Sequence, residues 1–159
     1  MWWRLAVGVV VVLAVASGIV ALAPAATPTE QHYVAALKVE YLPLQRAFTA
    51  ALRPCFFIRD MAHCRKSAPT AQTKAQRVVR LLARTTPPRR LRTADRNLER
   101  GVRALIEAYT PLIAAIVAAD NAAFGTSLVR LDKAARAVNT AINQINTLSP
   151  SAYLPNLPL

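Results

Sequence analysis

The chain has 159 residues, 20 Lys and Arg against 8 Asp and Glu, and a formal net charge of +12. Less an N-terminal targeting segment, that length leaves room for one domain with a core large enough to fold without a metal or cofactor. The charge calls for an anionic partner, and four Gly with almost no strand-type alternation exclude a β-rich chain. The expected class is all-α, with no cofactor.

From Leu5 to Ala26 there is no charged residue, and about 20 residues at 1.5 Å each span a bilayer. Two outcomes fit residues 1–26. Ala23-Pro24-Ala25 has the small-x-small form of a signal-peptide cleavage site, which gives a domain secreted after a cut near Ala25. The apolar run is also longer than a usual signal core, and Trp2 and Trp3 stand where interfacial aromatics belong, which suits a retained single-pass anchor. In both, Arg4 keeps the N-terminus cytoplasmic and the following domain lies outside, at the cell membrane or released from it.

After a linker at 27–29, Val34, Leu37, Tyr41, Leu44, Phe48 and Ala51 recur at intervals of three and four, which predicts a first helix to about Arg53. Ala71, Ala75, Val78 and Leu82 predict a shorter second helix, stopped by Thr85-Thr86-Pro87-Pro88. Leu91, Ala94, Leu98, Val102, Leu105, Tyr109, Leu112 and Ile116 form a long third stripe, with Pro88 in its opening turn. Asp120 or Asn121 then caps a fourth, along Phe124, Leu128, Leu131, Ala135, Val138, Ile142 and Ile145. Short connections join antiparallel neighbours, so residues 30–149 are expected to form an up-down-up-down four-helix bundle behind the N-terminal hydrophobic helix. An apolar, Pro-rich tail, 150–159, is expected to pack under the bundle or touch lipid. Asn139, Asn143 and Asn146 with Thr140 and Thr147 give helix four an uncharged polar face, read as solvated or as a seat for a partner helix.

Shifting the chain by 68 positions lays Val34, Ala36, Leu37, Tyr41, Pro43, Leu44, Ala47, Ala50 and Ala51 on identical residues at 102–119. This pattern reads as a duplicated helical hairpin, about 30–86 and 98–149. Pro43 and Pro111 fall mid-helix, each two residues after a Tyr, so a kink is expected at both. Paired kinks make Tyr41, Pro43, Tyr109 and Pro111 a candidate pocket for a small ligand. The competing expectation is two bent helices with packed Tyr rings.

Cys55 and Cys64 are the only cysteines, and they bracket the first helix connection. Outside the cytoplasm such a pair is expected to form a disulfide, stabilising the fold by about 2 to 3 kcal/mol. Phe56, Phe57, Ile58 and Met61 would then cover that end of the bundle. A metal or small-ligand carrier is the alternative reading, since Met61, His63 and Cys64, with His32, are soft or borderline ligands. The spacing has no paired Cys/His arrangement, and no metal site is assigned.

Between Arg59 and Arg103 stand thirteen basic residues against three acidic ones, ten of the twelve net charges. Arg80, Arg84, Arg89, Arg90, Arg92 and Arg96 converge on the turn between helices two and three. With helix one leaving the membrane and helix two returning, that turn is membrane-proximal and suited to anionic headgroups, at about 1 kcal/mol per basic residue. An acidic envelope polymer or protein is a second partner, and a purely solubilising Arg-rich face is the plainer reading. Nucleic acid fits poorly, because export removes it and no aromatics interleave the cluster.

No catalytic motif is present: there is no Glu-x-x-His pair, no G-x-S-x-G, no H-E-x-x-H and no phosphate-cradling Gly loop. The layout resembles uncharacterised exported or membrane-anchored helical-bundle proteins of high-GC bacteria. In these an apolar N-terminus precedes Ala-rich helices, and a turn like Pro87-Pro88-Arg89-Arg90-Leu91 opens a later helix. That resemblance implies a cell-envelope location and no activity. The expected function is accordingly a non-catalytic interaction or sensing module of the envelope.

Overall fold

The computed structural model describes residues 28–57 and 60–159, and it is helical throughout, with no strand among the described residues. Helix α1 covers Pro28–Leu52 and runs into a single π turn, Arg53–Phe57. Helix α2 is Met61–Arg84, α3 is Arg92–Ala118 after a 3-10 turn at Arg89–Leu91, and α4 is Asn121–Leu148. A further 3-10 turn, Pro150–Ala152, leads into an extended tail. The apolar segment 1–26 lies outside the described residues.

The core is built from the stripes that the spacing marks. Val34, Leu37, Tyr41, Leu44 and Phe48 of α1 are buried, as are Leu98, Val102, Leu105, Tyr109 and Leu112 of α3. Residues paired by the 68-position shift therefore share an environment, Tyr41 with Tyr109 included. Both rings are packed into the core, and both hydroxyls are buried without a hydrogen-bond partner. Helical geometry continues through Pro43, Pro69 and Pro111.

Helix α2 departs from expectation by starting ten residues early. At 24 residues it is nearly as long as α1. Its inner stripe begins before Ala71 with Cys64 and Ala68, both fully buried, and two such small side chains do not register as an apolar face. Asp60 caps it, accepting from the His63 backbone N–H at 3.1 Å. Cys55 and Cys64 thus sit on helical turns rather than in a long loop, with sulfurs at bonding distance and Cα atoms 5.0 Å apart. Phe56 and Met61 pack against the core there, whereas Phe57 is 71% exposed and Ile58 lies outside the described residues.

Neighbouring helices are keyed by specific contacts. Tyr33 and Leu37 share a crevice with Leu81, Leu82 and Thr85, and Ala47 to Arg53 face His63 to Thr70. Gln72 Nε2 donates to the Ile106 carbonyl at 3.2 Å and to the Thr110 hydroxyl at 3.0 Å. Asn97 Nδ2 donates to Gln144 Oε1 at 2.9 Å. The α3–α4 approach is closest at Gly101, where an added Cβ would stand 3.0 Å from the Val138 backbone nitrogen. One stretch of the described residues, Arg89–Ala118, is apolar and long enough to cross a membrane by composition. Its apolar stripe, however, is buried against the other helices.

Helix α1 packs on α2, α2 on α3 and α3 on α4, but α1 and α4 make almost no direct contact. The tail occupies that gap. Its 3-10 turn touches both helices, and Leu154 and Leu157 are buried. It runs back along the side of the bundle instead of packing under it. Asn139 and Asn146 accordingly face neither solvent nor a partner helix. They hold the tail, while Thr140, Asn143 and Thr147 are exposed.

Candidate functional site

The ends of four helices and the Arg89–Leu91 turn meet at one end of the molecule. The first turn of α1 comes to α3 through two buried carboxyl groups. Glu30, 2% exposed, pairs with the Arg90 guanidinium at 3.6 Å, and the Tyr33 hydroxyl donates to Asp95. The last turn of α2 arrives through Leu81, Leu82 and Thr85 beside Tyr33. The last turn of α4 arrives through Thr147 and Leu148, which border a groove with Thr93 and Ala94.

Above this buried acidic base the six arginines of the expected cluster, Arg80, Arg84, Arg89, Arg90, Arg92 and Arg96, are all exposed. Pro87 and Pro88 hold the intervening chain extended, and the 3-10 turn then closes with Leu91 N–H donating to the Pro88 carbonyl at 2.9 Å. Among the described residues only Arg90 of the six is in an ion pair. The other ordinary helical pairs, Arg103 with Glu99 and Arg136 with Asp132, lie outside the cluster. The other five guanidinium groups of the cluster form no ion pair among the described residues, and all are exposed to water and to an external anion.

The buried groups are tuned by their surroundings. Burial pushes the Asp95 carboxyl above the usual carboxylate range and the nearby Glu99 charge adds to this, while the Tyr33 hydroxyl and the Arg96 charge pull it back. Burial, followed by the hydrogen bond to Asp95, drives the Tyr33 phenol far up, so it stays a donor at any physiological pH.

The chain matches no protein-family model, no curated protein and no solved structure. Function is therefore argued from geometry alone.

The Cys64 sulfur is committed to Cys55, which leaves no thiolate for a metal beside Met61 and His63. His63 Nδ1 is instead 2.5 Å from Asp60 Oδ2, and the His63 backbone and ring together hold the Asp60 carboxyl below its ordinary value. His32 stands in the first turns of α1, far along that helix from the segment facing His63. Among the described residues no three His, Cys, Asp or Glu are grouped to hold a metal. A surface cleft of about 650 Å³ does open at the cysteine end, between Ala47, Arg53, Asp60, His63 and Lys66. Sequence reasoning passed over Glu30, Tyr33 and Asp95, because a lone acid near a helix start reads as surface. Tyr33 precedes the main stripe by one position, and its burial depends on Leu81, Leu82 and Thr85 of α2 and on Asp95 of α3, contacts that periodicity within α1 does not reveal.

Proposed function

We propose that this protein is a non-catalytic module of the cell envelope, an up-down-up-down four-helix bundle whose basic end docks on an anionic surface beside the membrane. The observation that carries the reading is the Glu30–Arg90 pair at 3.6 Å, reinforced by Tyr33 and Asp95. These contacts fix the first turn of α1 next to the arginine turn. Chain arriving from the apolar segment 1–26 therefore joins the domain at its most basic end. A retained anchor puts Arg84, Arg89, Arg90 and Arg92 at headgroup level; a cleaved leader leaves the same surface for an acidic envelope polymer or protein.

Each exposed arginine close to an anionic surface contributes about 1 kcal/mol, so the cluster suffices to orient a tethered domain and, unaided, binds reversibly. Screening at high salt removes most of that attraction. The test is co-sedimentation with vesicles of neutral or anionic composition, for the wild type and for Arg84→Glu with Arg89→Glu and Arg92→Glu. Binding is expected to require anionic lipid, to fall with salt and to be lost in the triple variant. Binding indifferent to lipid charge and to salt removes the headgroup role.

A further inference from the structure

The tail's attachment to α4 is a repeated device. Asn139 Nδ2 donates to the Leu157 carbonyl at 2.9 Å while its Oδ1 accepts from the Leu157 N–H at 2.7 Å. Asn146 does the same for Leu154, with both contacts at 2.8 Å. Each side-chain amide thus reads the donor and the acceptor of one main-chain residue, as a neighbouring strand would.

The spacing is matched. Asn139 and Asn146 are seven residues apart, two helical turns and about 10.5 Å along α4. Leu154 and Leu157 are three apart, each followed by a Pro that fixes its own φ and holds the preceding residue extended. Three residues of polyproline II advance about 9 Å and return the same face to the helix. One stripe of α4 therefore stays in register with every third residue of such a segment, and Asp132 stands one further step along it.

We propose that the seam between α1 and α4 is a docking groove for an extended, proline-spaced apolar peptide of another protein, with Asn139 and Asn146 as its clamps and residues 153–159 as its resident competitor. Three observations point outward from the tail. The clamps read main chain, so only Leu154 and Leu157 are selected by side chain. Two helices that would otherwise close the bundle are held apart to make the seam. The resident leaves polar groups of the seam unsatisfied: the Tyr41 hydroxyl, near Tyr153, and the Ser149 hydroxyl at the tail's root are both buried without partners.

A tail tethered by a few residues competes at an effective concentration on the order of millimolar, so an outside peptide enters when the tether is released. The experiment uses the full chain carrying a specific protease site between Ser149 and Tyr153, folded first and cut afterwards. The probe is a fluorescent peptide keeping only Leu-Pro-x-Leu-Pro of the tail, read by anisotropy. The cut protein is expected to bind it at least tenfold more tightly than the uncut one. Asn139→Ala with Asn146→Ala, or Asp at both peptide Leu positions, is expected to reverse that gain. No uptake by the cut protein, whether it stays folded or falls apart, makes the tail a structural plug and overturns the proposal. So does uptake that ignores the clamps or the Leu residues. A tail-exchanged dimer of the uncut chain in size-exclusion chromatography assigns the seam to a second copy and overturns it equally.

Discussion

Replacing Tyr33 with Phe removes one hydroxyl and leaves the ring in place against Leu37 and Leu82, so the loss isolates the bond to Asp95. Both residues are 5% exposed, and no solvent is at hand to replace the donor. A hydrogen bond to a charged acceptor contributes about 1.5 to 3 kcal/mol, and a buried acceptor left alone puts the cost in the upper part of that range. For a domain of this size that corresponds to a fall in Tm of roughly 5 to 10 °C. The pH dependence follows from Asp95. Its folded-state pKa is raised by burial, so the stability tied to its protonation is present at acid pH and is lost as pH rises through the folded value. The Tyr33 hydroxyl limits that rise, and removing it lifts the carboxyl further. The variant therefore loses more than the wild type as pH climbs, and the gap between them narrows in acid. Urea denaturation of both proteins across the acid-to-neutral range measures this. A loss below about 0.5 kcal/mol at neutral pH, against the range expected for a charged acceptor, or a gap that widens in acid, refutes the assignment of Asp95 as a buried, Tyr33-dependent carboxylate.

Two further outcomes follow from local geometry. Reducing the Cys55–Cys64 bond, or replacing both residues with Ala, opens a closure of sequence separation 9 and is expected to cost about 2.6 kcal/mol on the chain-entropy model, read as a lower urea midpoint at similar slope. Ala119 ends α3 with φ of 54°, in the left-handed region that a Cβ disfavours. Ala119→Gly is expected to raise stability by up to about 1 kcal/mol, and an unchanged or lower Tm contradicts that strain.

What the sequence made legible was set by side-chain size and by pairing distance. The stripes of α1, α3 and α4 consist mainly of Leu, Val, Tyr, Phe and Ile, with one Ala each, at three- and four-residue steps, and the positions named from them are buried almost without exception. The first turns of α2 were missed because the inner residues before Ala71 are Cys64 and Ala68, which pack as well as larger residues without looking apolar. The concentration of arginines from Arg80 to Arg96 is legible in the sequence, since charge needs no partner to be counted, and the six side chains are exposed. The acids beneath them, Glu30 and Asp95, were not found, because their burial depends on α1 lying against α3. The tail's course was hidden for the same reason, although one signal was present: two Asn seven apart on a helix, and two Leu three apart, each before a Pro.

Helix α4 is the one described α-helix without an internal proline, and it is also the one that carries the clamps. Prolines in α1, α2 and α3 each delete a rung of their hydrogen-bond ladder and lower the resistance of those helices to bending. A bend between Asn139 and Asn146 would change the interval that they measure. The unbroken helix is thus a ruler, and the property it conserves is a length rather than a surface. Apart from the buried Leu154 and Leu157, the side chains of the measured segment are not what the clamps read; they read its stride.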